Sequence, residues 1–164
     1  MKRESDQIFT GHDGDCGKHE GFATVHACKH PCHARMCGAR VPKDSPHYLT
    51  FEKDNDLYLN IIDPDKPLFQ LELFQKFLAW AIPRAMNRER ILIHCNMGQS
   101  RSRSLALVLL ARLGCLGASA LESYANAIKR FDEETGDRYL PGAGIAIFLE
   151  SNWPLLMGQG IIRP

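Results

Sequence analysis

Cys95 and Arg101 stand five residues apart, separated by Asn96, Met97, Gly98, Gln99 and Ser100 and followed by Ser102. A thiol flanked by a guanidinium and by free backbone amides titrates well below its ordinary value of about 8.5 and serves as a nucleophile. A planar arginine fork binds two oxygens of a phosphate at once, which lysine cannot do. Gly98 allows the backbone to bend close to a ligand. Ser102 has a hydroxyl that can reach the sulfur, and His94 stands directly behind Cys95, where it can brace the loop. These residue types read together as a site for attack on an anionic phosphorus centre.

The flanking residues say how such a loop is held. Ile91-Leu92-Ile93 is a short apolar run of strand type, and Leu105 to Leu113 is an apolar run too long for one strand and rich in helix formers. The order is strand, loop, helix. The loop then lies at a helix N-terminus, where unpaired N–H groups and the positive end of the dipole gather.

His94 to Ser102 reads His-Cys-x-x-Gly-x-Ser-Arg-Ser. This closely resembles the signature of cysteine-dependent protein phosphatases, in particular the dual-specificity branch. The resemblance implies that Cys95 is the nucleophile, and that Arg101 and the amides of Asn96 to Arg101 hold the phosphate. It assigns supporting roles to Ser102 and His94. It also implies a general acid on a loop about thirty residues earlier, where Asp63 and Asp65 flank Pro64. Asp63 is favoured because it falls directly at a strand end, and Asp65 stays open. The implied reaction passes through a cysteinyl-phosphate and needs no cofactor. It requires one thiolate and one protonated carboxyl, so its pH profile is bell-shaped.

The implied substrates are phosphorylated proteins, carrying phosphotyrosine with or without phosphoserine and phosphothreonine. Lipid phosphatases of the superfamily usually carry lysine in this loop, and here none is present. An RNA 5′-phosphatase, for which Arg84, Arg88 and Arg103 are the nearby cations, and a phosphoinositide phosphatase remain as alternatives. A metal- or phosphopeptide-binding adaptor with an inactive site is a further one. Some lipid phosphatases of the superfamily place a second cysteine at a neighbouring strand end, where it captures the oxidised nucleophile. Cys28 is the corresponding candidate redox partner.

The rest of the chain must position these groups. Phe22 to Cys28 and Leu57 to Ile62 read as buried strands, with a weaker one at Ile8-Phe9 and an edge strand over His47 to Thr50. Residues 1–21 read as an irregular lead-in and 29–47 as a long loop. Apolar residues from Phe69 to Met86 have helical spacing, with Pro83 expected to end or kink the helix near Ile82. Ser119 is expected to cap a helix running to Phe131, with Glu122 at capping-box spacing. A last helix over Ala143 to Trp153 is expected to stop at Pro154. Strands alternating with helices predict a single compact α/β domain: a mostly parallel sheet of four or five strands with helices on both faces. The resemblance implies the same fold for residues 1–164, with a phosphatase core over 57–153 and a divergent His/Cys-rich part over 1–50.

Composition sets the outer limits. Of 164 residues 45% are hydrophobic and 24% charged, and the net charge is +1, which favours a globular domain and argues against bulk nucleic-acid or membrane binding. No apolar run approaches the roughly 20 residues of a membrane helix. With no signal-type core near the N-terminus, the expectation is a cytoplasmic protein in which six cysteines stay reduced. Oligomeric state is not legible. One segment stands apart: His12, Cys16, His19, His26, Cys28, His30, Cys32, His33 and Cys37 crowd the first quarter of the chain. Cysteine and histidine suit zinc, but the spacings match no paired finger pattern, so metal binding is left open.

Overall fold

A computed structural model describes residues 1–158. Its single sheet has six strands: β1 (Lys2–Arg3), β2 (Ile8–Gly11), β3 (Ala23–His26), β4 (Thr50–Lys53), β5 (Asp56–Leu59) and β6 (Ile91–His94), in the order β1-β2-β6-β3-β5-β4. The four central strands are parallel, and β1 and β4 pair antiparallel at the edges. The sheet is therefore mostly parallel as expected, with six strands rather than four or five. The extra strand is the two-residue β1, too short to leave a periodic trace. The segment 1–21 is less irregular than its glycines imply, since it supplies both β1 and β2. The edge strand β4 begins where the expected one ends, at Thr50.

The strands that flank the motif were legible because their apolar residues are continuous. Ile91, Leu92 and Ile93 are at most 1% exposed, as expected for the buried middle of a parallel sheet. Ile8, Val25, Leu57, Leu59, Ile91 and Ile93 join one core with α2 (Leu71–Met86), α3 (Arg101–Arg112), α5 (Tyr124–Thr135) and α6 (Ala143–Leu156). These long helices share one face of the sheet. The opposite face carries Phe9, His26, Tyr58 and His94. It is covered by loops, with Phe22 edge-on to Phe9 at 5.2 Å. Segments 12–22 and 28–49 are too rich in Gly, Pro and His to build long helices there. The second of them is not all loop: Lys29–His33 forms a wide helical turn that leads into the short helix α1 (Ala34–Cys37).

Helix α3 sits at the centre. Every residue from Arg101 to Ala111 is buried, so it is covered all round rather than along one stripe. Pro154, expected to stop a helix, does not, and Pro83, expected to end or kink one near Ile82, does not end it. Pro83 lies inside α2 and Pro154 inside α6, each within a turn of the end, where one missing N–H removes one bond and the helix closes behind it. The helix expected from Ser119 is two: α4 (Ser119–Glu122) is one turn, and α5 starts afresh after Ser123, whose hydroxyl accepts from the Asn126 N–H. Ser123 is the cap because its backbone is extended, φ −154° and ψ 153°.

Candidate active site

The loop from Cys95 to Ser100 joins β6 to α3. Cys95 is 1% exposed, at the bottom of the loop. Its Sγ accepts from the Gly98 N–H at 3.2 Å and lies 3.4 Å from Ser102 Oγ. The N–H groups of Met97 and Gln99 have no acceptor among the described residues, and the first N–H groups of α3 have none within the helix. Gly98 has φ +72°, and a Cβ there would lie 3.0 Å from the Gly11 carbonyl oxygen and 3.2 Å from the His12 nitrogen. Only glycine meets both demands. Two earlier segments wall the loop: Asp13 N–H donates to Asn96 O at 3.3 Å, and Asn96 Nδ2 donates to His30 O at 3.1 Å.

Arg101 opens α3 and is 8% exposed. Its Nη1 donates to Ala27 O at 3.2 Å and Ile61 O at 3.3 Å, the carbonyls just beyond β3 and β5. Its Nη2 donates to Asn96 Oδ1 at 2.8 Å. Its Nε–H is buried with no hydrogen-bond partner. The guanidinium is thus fixed by the backbone of two other strands, with the Nε–H and the second N–H of Nη2 without an acceptor among the described residues.

Asp63 reaches this point from beyond β5. Its Oδ1 accepts from Ser100 Oγ at 3.0 Å, and Oδ2 lies 3.7 Å from Arg101 Nε, while the side chain stays 28% exposed. Ser100 Oγ in turn accepts from the Gly142 N–H at 2.9 Å. Asp65 is exposed and makes no hydrogen bond or ion pair among the described residues. The loop carrying Asp63 lies tight on α6: a Cβ at Gly144 would overlap the carbonyl oxygens of Pro64 and Lys66. Neither the Asn96 tether on Arg101 nor the Ser100–Gly142 clamp on Asp63 was legible, because each depends on atoms far away in sequence.

His94 lies directly behind the loop, against the Cys95 backbone. It is fully buried, and its Nε2 lies 2.7 Å from His26 Nδ1 on the neighbouring strand. Burial and the adjacent His26 ring hold its pKa down at about 4. Cys28 is buried just past β3, and its hydrogen-bonding partner is Cys32. That bond, with the charge of Arg101, brings Cys28 down to about 7 against the opposing effect of burial. Arg103 points away from the loop of residues 95–101. Its Nε donates to the buried Glu4 carboxylate at 3.1 Å, and its Nη1 to Arg138 O at 2.8 Å. Arg84, at the far end of α2, pairs with Glu52. Of the three cations near enough in sequence to hold a second phosphate, two are committed elsewhere.

A parallel sheet read through its carboxyl ends, with a Cys-x5-Arg loop feeding a central helix, is the fold of the dual-specificity phosphatases. Human DUSP28 superposes with a TM-score of 0.66 at 17% identity, covering 98% of this chain and 100% of that one. A human tyrosine phosphatase-like serine/threonine/tyrosine-interacting protein follows at TM-score 0.65 and 16% identity, covering 94% and 96%. PTPMT1, solved in complex with PI(5)P, matches at TM-score 0.61 and 11% identity over 97% of both chains. No family model matches the chain. No helix among the described residues is long and apolar enough to cross a membrane.

Proposed function

We propose that the protein is a cysteine-dependent phosphatase acting on singly phosphorylated proteins, phosphotyrosine first. The observation that carries this reading is the convergence of Cys95 Sγ, the unpartnered Arg101 Nε–H and Asp63 at the N-terminus of α3.

In the first step the Cys95 thiolate attacks phosphorus, and an S–P bond forms as the ester P–O bond breaks. The amides of Asn96 to Arg101 and the Arg101 Nε–H hold the equatorial oxygens, where charge spreads in the transition state. Ser102 Oγ, 3.4 Å from the sulfur, is placed to donate to the thiolate when it leaves again. Asp63 gives its proton to the departing oxygen, a contribution worth about 10² to 10⁴-fold. In the second step Asp63, now a carboxylate, takes a proton from water, which attacks the cysteinyl-phosphate and frees phosphate and Cys95. The chemistry has no step for a metal, and it needs the reducing conditions of a cytoplasm to keep Cys95 reduced.

Two features support a phosphoprotein substrate. Exposed apolar side chains stand around the site: Ile62 beside Asp63, Met97 in the loop itself, and Leu140 two residues before the Gly142 clamp. The loop has no lysine, and Arg103 is tied to Glu4, so a second phosphate lacks a ready partner. A phosphoinositide substrate is the second reading, because PTPMT1, crystallised with PI(5)P, has the same fold.

Turnover of para-nitrophenyl phosphate by the wild type, and its loss in Cys95→Ser, tests the class. Phosphate binding without any turnover in the wild type would overturn it in favour of an adaptor. Rates on phosphotyrosine, phosphoserine and PI(5)P then rank the substrates, and a preference for PI(5)P would reject the protein reading.

A further inference from the structure

The face of the sheet away from the long helices holds a second constellation that the chemistry above does not use. His26 and His94 are the last residues of β3 and β6 and sit directly opposite one another in the ladder. Cys16 comes to them from the turn after β2, and Cys32 from the helical turn after β3. One ligand atom from each of the four lies within 4.8 Å of the other three. Three of the residues are buried, and Cys16 is half-buried. We propose that Cys16, His26, Cys32 and His94 bind one zinc ion as a closed, structural site.

The donor set and its spacing both fit. Zinc–sulfur bonds of about 2.3 Å and zinc–nitrogen bonds of about 2.05 Å place S and N about 3.5 Å apart at tetrahedral angles, and two N atoms about 3.3 Å apart. Cys16 Sγ lies 3.6 Å from His26 Nδ1, already at that separation. His26 Nδ1 and His94 Nε2 are 2.7 Å apart, so the rings must part by roughly half an ångström to share an ion. Two thiolates balance a divalent ion, and a neutral centre suits a buried site. Each thiol releases its proton to solvent on binding, so affinity rises with pH.

Two neighbours already orient the ring that would be bound. Asp56 Oδ2 lies 3.5 Å from His26 Nε2, on the side away from the cluster, where a carboxylate commonly holds a ligating imidazole. The Tyr58 ring stacks on His26 with centroids 4.2 Å apart and planes 6° from parallel. Two cysteines and two histidines complete a tetrahedron, so no position stays open for water or substrate, and the ion would act as a tie. It would join the segments through Asp13 and His30, both bonded to the phosphate loop, to the residue just before Cys95. The four ligands come from separate segments, and the fourth lies 62 positions beyond the third, so no local spacing announced them.

The test uses full-length protein without a histidine tag. Mass-spectrometric metal analysis should find one zinc per chain. Metal-free protein titrated with cobalt(II) should show tetrahedral visible bands and thiolate-to-cobalt charge transfer, saturate at one equivalent, and lose both to zinc. Zinc should also raise Tm. Cys16→Ser, at a half-buried loop position, should weaken binding at least about 100-fold, and Asp56→Asn about 10-fold. Cys37→Ser and Cys115→Ser should bind as the wild type does. Cobalt spectra unchanged in Cys16→Ser would overturn the site, as would an adventitious ion only, bound below one equivalent without raising Tm. If Cys32→Ser does not fold, Cys16→Ser with circular dichroism of the metal-free protein decides alone. None of these readouts uses turnover, so the outcome is independent of the phosphatase reading.

Discussion

Neighbouring strands β6 and β3 end alike and then part company. Each closes on a histidine, in register with the other, and a cysteine follows each, Cys95 directly and Cys28 after one intervening residue, Ala27. Beyond β6 the chain opens, wraps a loop of unpaired amides around Cys95 and enters the central helix. Beyond β3 it turns inward: Cys28 bonds to Cys32, and His26 meets His94. One strand end presents free donors; the other is tied into the protein. The difference lies in the next few residues: Gly98 and the start of α3 hold donors outward, whereas the turn through Pro31 folds thiols under. Neighbouring strand ends in a parallel sheet can therefore be set to different tasks by the loops that follow them.

If that division holds, substitutions should separate by what they disturb. The largest effect belongs to Cys95→Ser, which should lower kcat by more than about 10³-fold while phosphate still binds and Tm stays near that of the wild type. Steady-state kinetics beside calorimetry reads both, and residual turnover of several per cent would remove Cys95 from the nucleophile's role. Arg101→Lys should approach the same loss despite its kept charge, because the planar fork is gone.

Next is the aspartate loop. Asp63→Asn should slow phosphotyrosine hydrolysis by about 10²-fold or more, and Asp65→Asn by no more than a few-fold. The reverse order would show that the loop turns Asp65 into the site during turnover. Gly144→Ala should act on the same step without touching the reacting atoms, since its methyl pushes against the backbone of Pro64 and Lys66. A fall in kcat with phosphate affinity unchanged is the expected result.

At the β3 end the readout should be stability. Tyr58→Leu removes the ring stacked on His26 and should lower Tm by about 2 to 4 °C, for a loss near 1 kcal/mol, with kcat/KM within a few-fold. A collapse of activity at unchanged Tm would contradict the division. Peroxide treatment sharpens it further: a reversible Cys28–Cys95 disulfide in peptide maps supports Cys28 as redox partner, whereas a Cys28–Cys32 product keeps that thiol on the supporting side.

A region remote from both strand ends gives the smallest signal. Burial raises Tyr124 to about 12, and burial beside Tyr124 raises Tyr139 above its ordinary value of 10. In each the neutral ring is the form the fold favours. Their contribution is fully present below pH 10 and is lost as pH climbs from 10 past 12. Tyrosinate absorbance rising only together with alkaline unfolding would confirm the sign, and titration at pH 10 in folded protein would refute it.

How much of this was legible follows from distance along the chain. Cys95, Gly98, Arg101 and Ser102 could be read because one strand–loop–helix unit places them all. Asp63 could be placed near the loop because it follows, four residues beyond its end, a strand whose apolar run is plain. Helix ends were misplaced at Pro83, Pro154 and Ser119, where a local breaker or cap lost to packing one turn further on. His94 was legible as a strand end but not as the partner of His26, since register between strands 68 residues apart is set by the whole sheet. The same holds for Arg103, whose neighbour Glu4 arrives from the other end of the molecule.

The strand order has a consequence for how the protein is made. β2 and β3 never pair with each other; β6 lies between them, and it is the last strand among the described residues. On a ribosome, β3, β4 and β5 can meet as soon as residue 59 has emerged, but β2 has no parallel neighbour until residue 94 follows. Closing those long-range pairings is the slow part of folding such a topology, and until then strand edges stay open to aggregation. The segment that completes the sheet is also the one that delivers Cys95. A nascent chain lacking it has neither a finished sheet nor Cys95, so assembly and the proposed activity begin with the same few residues.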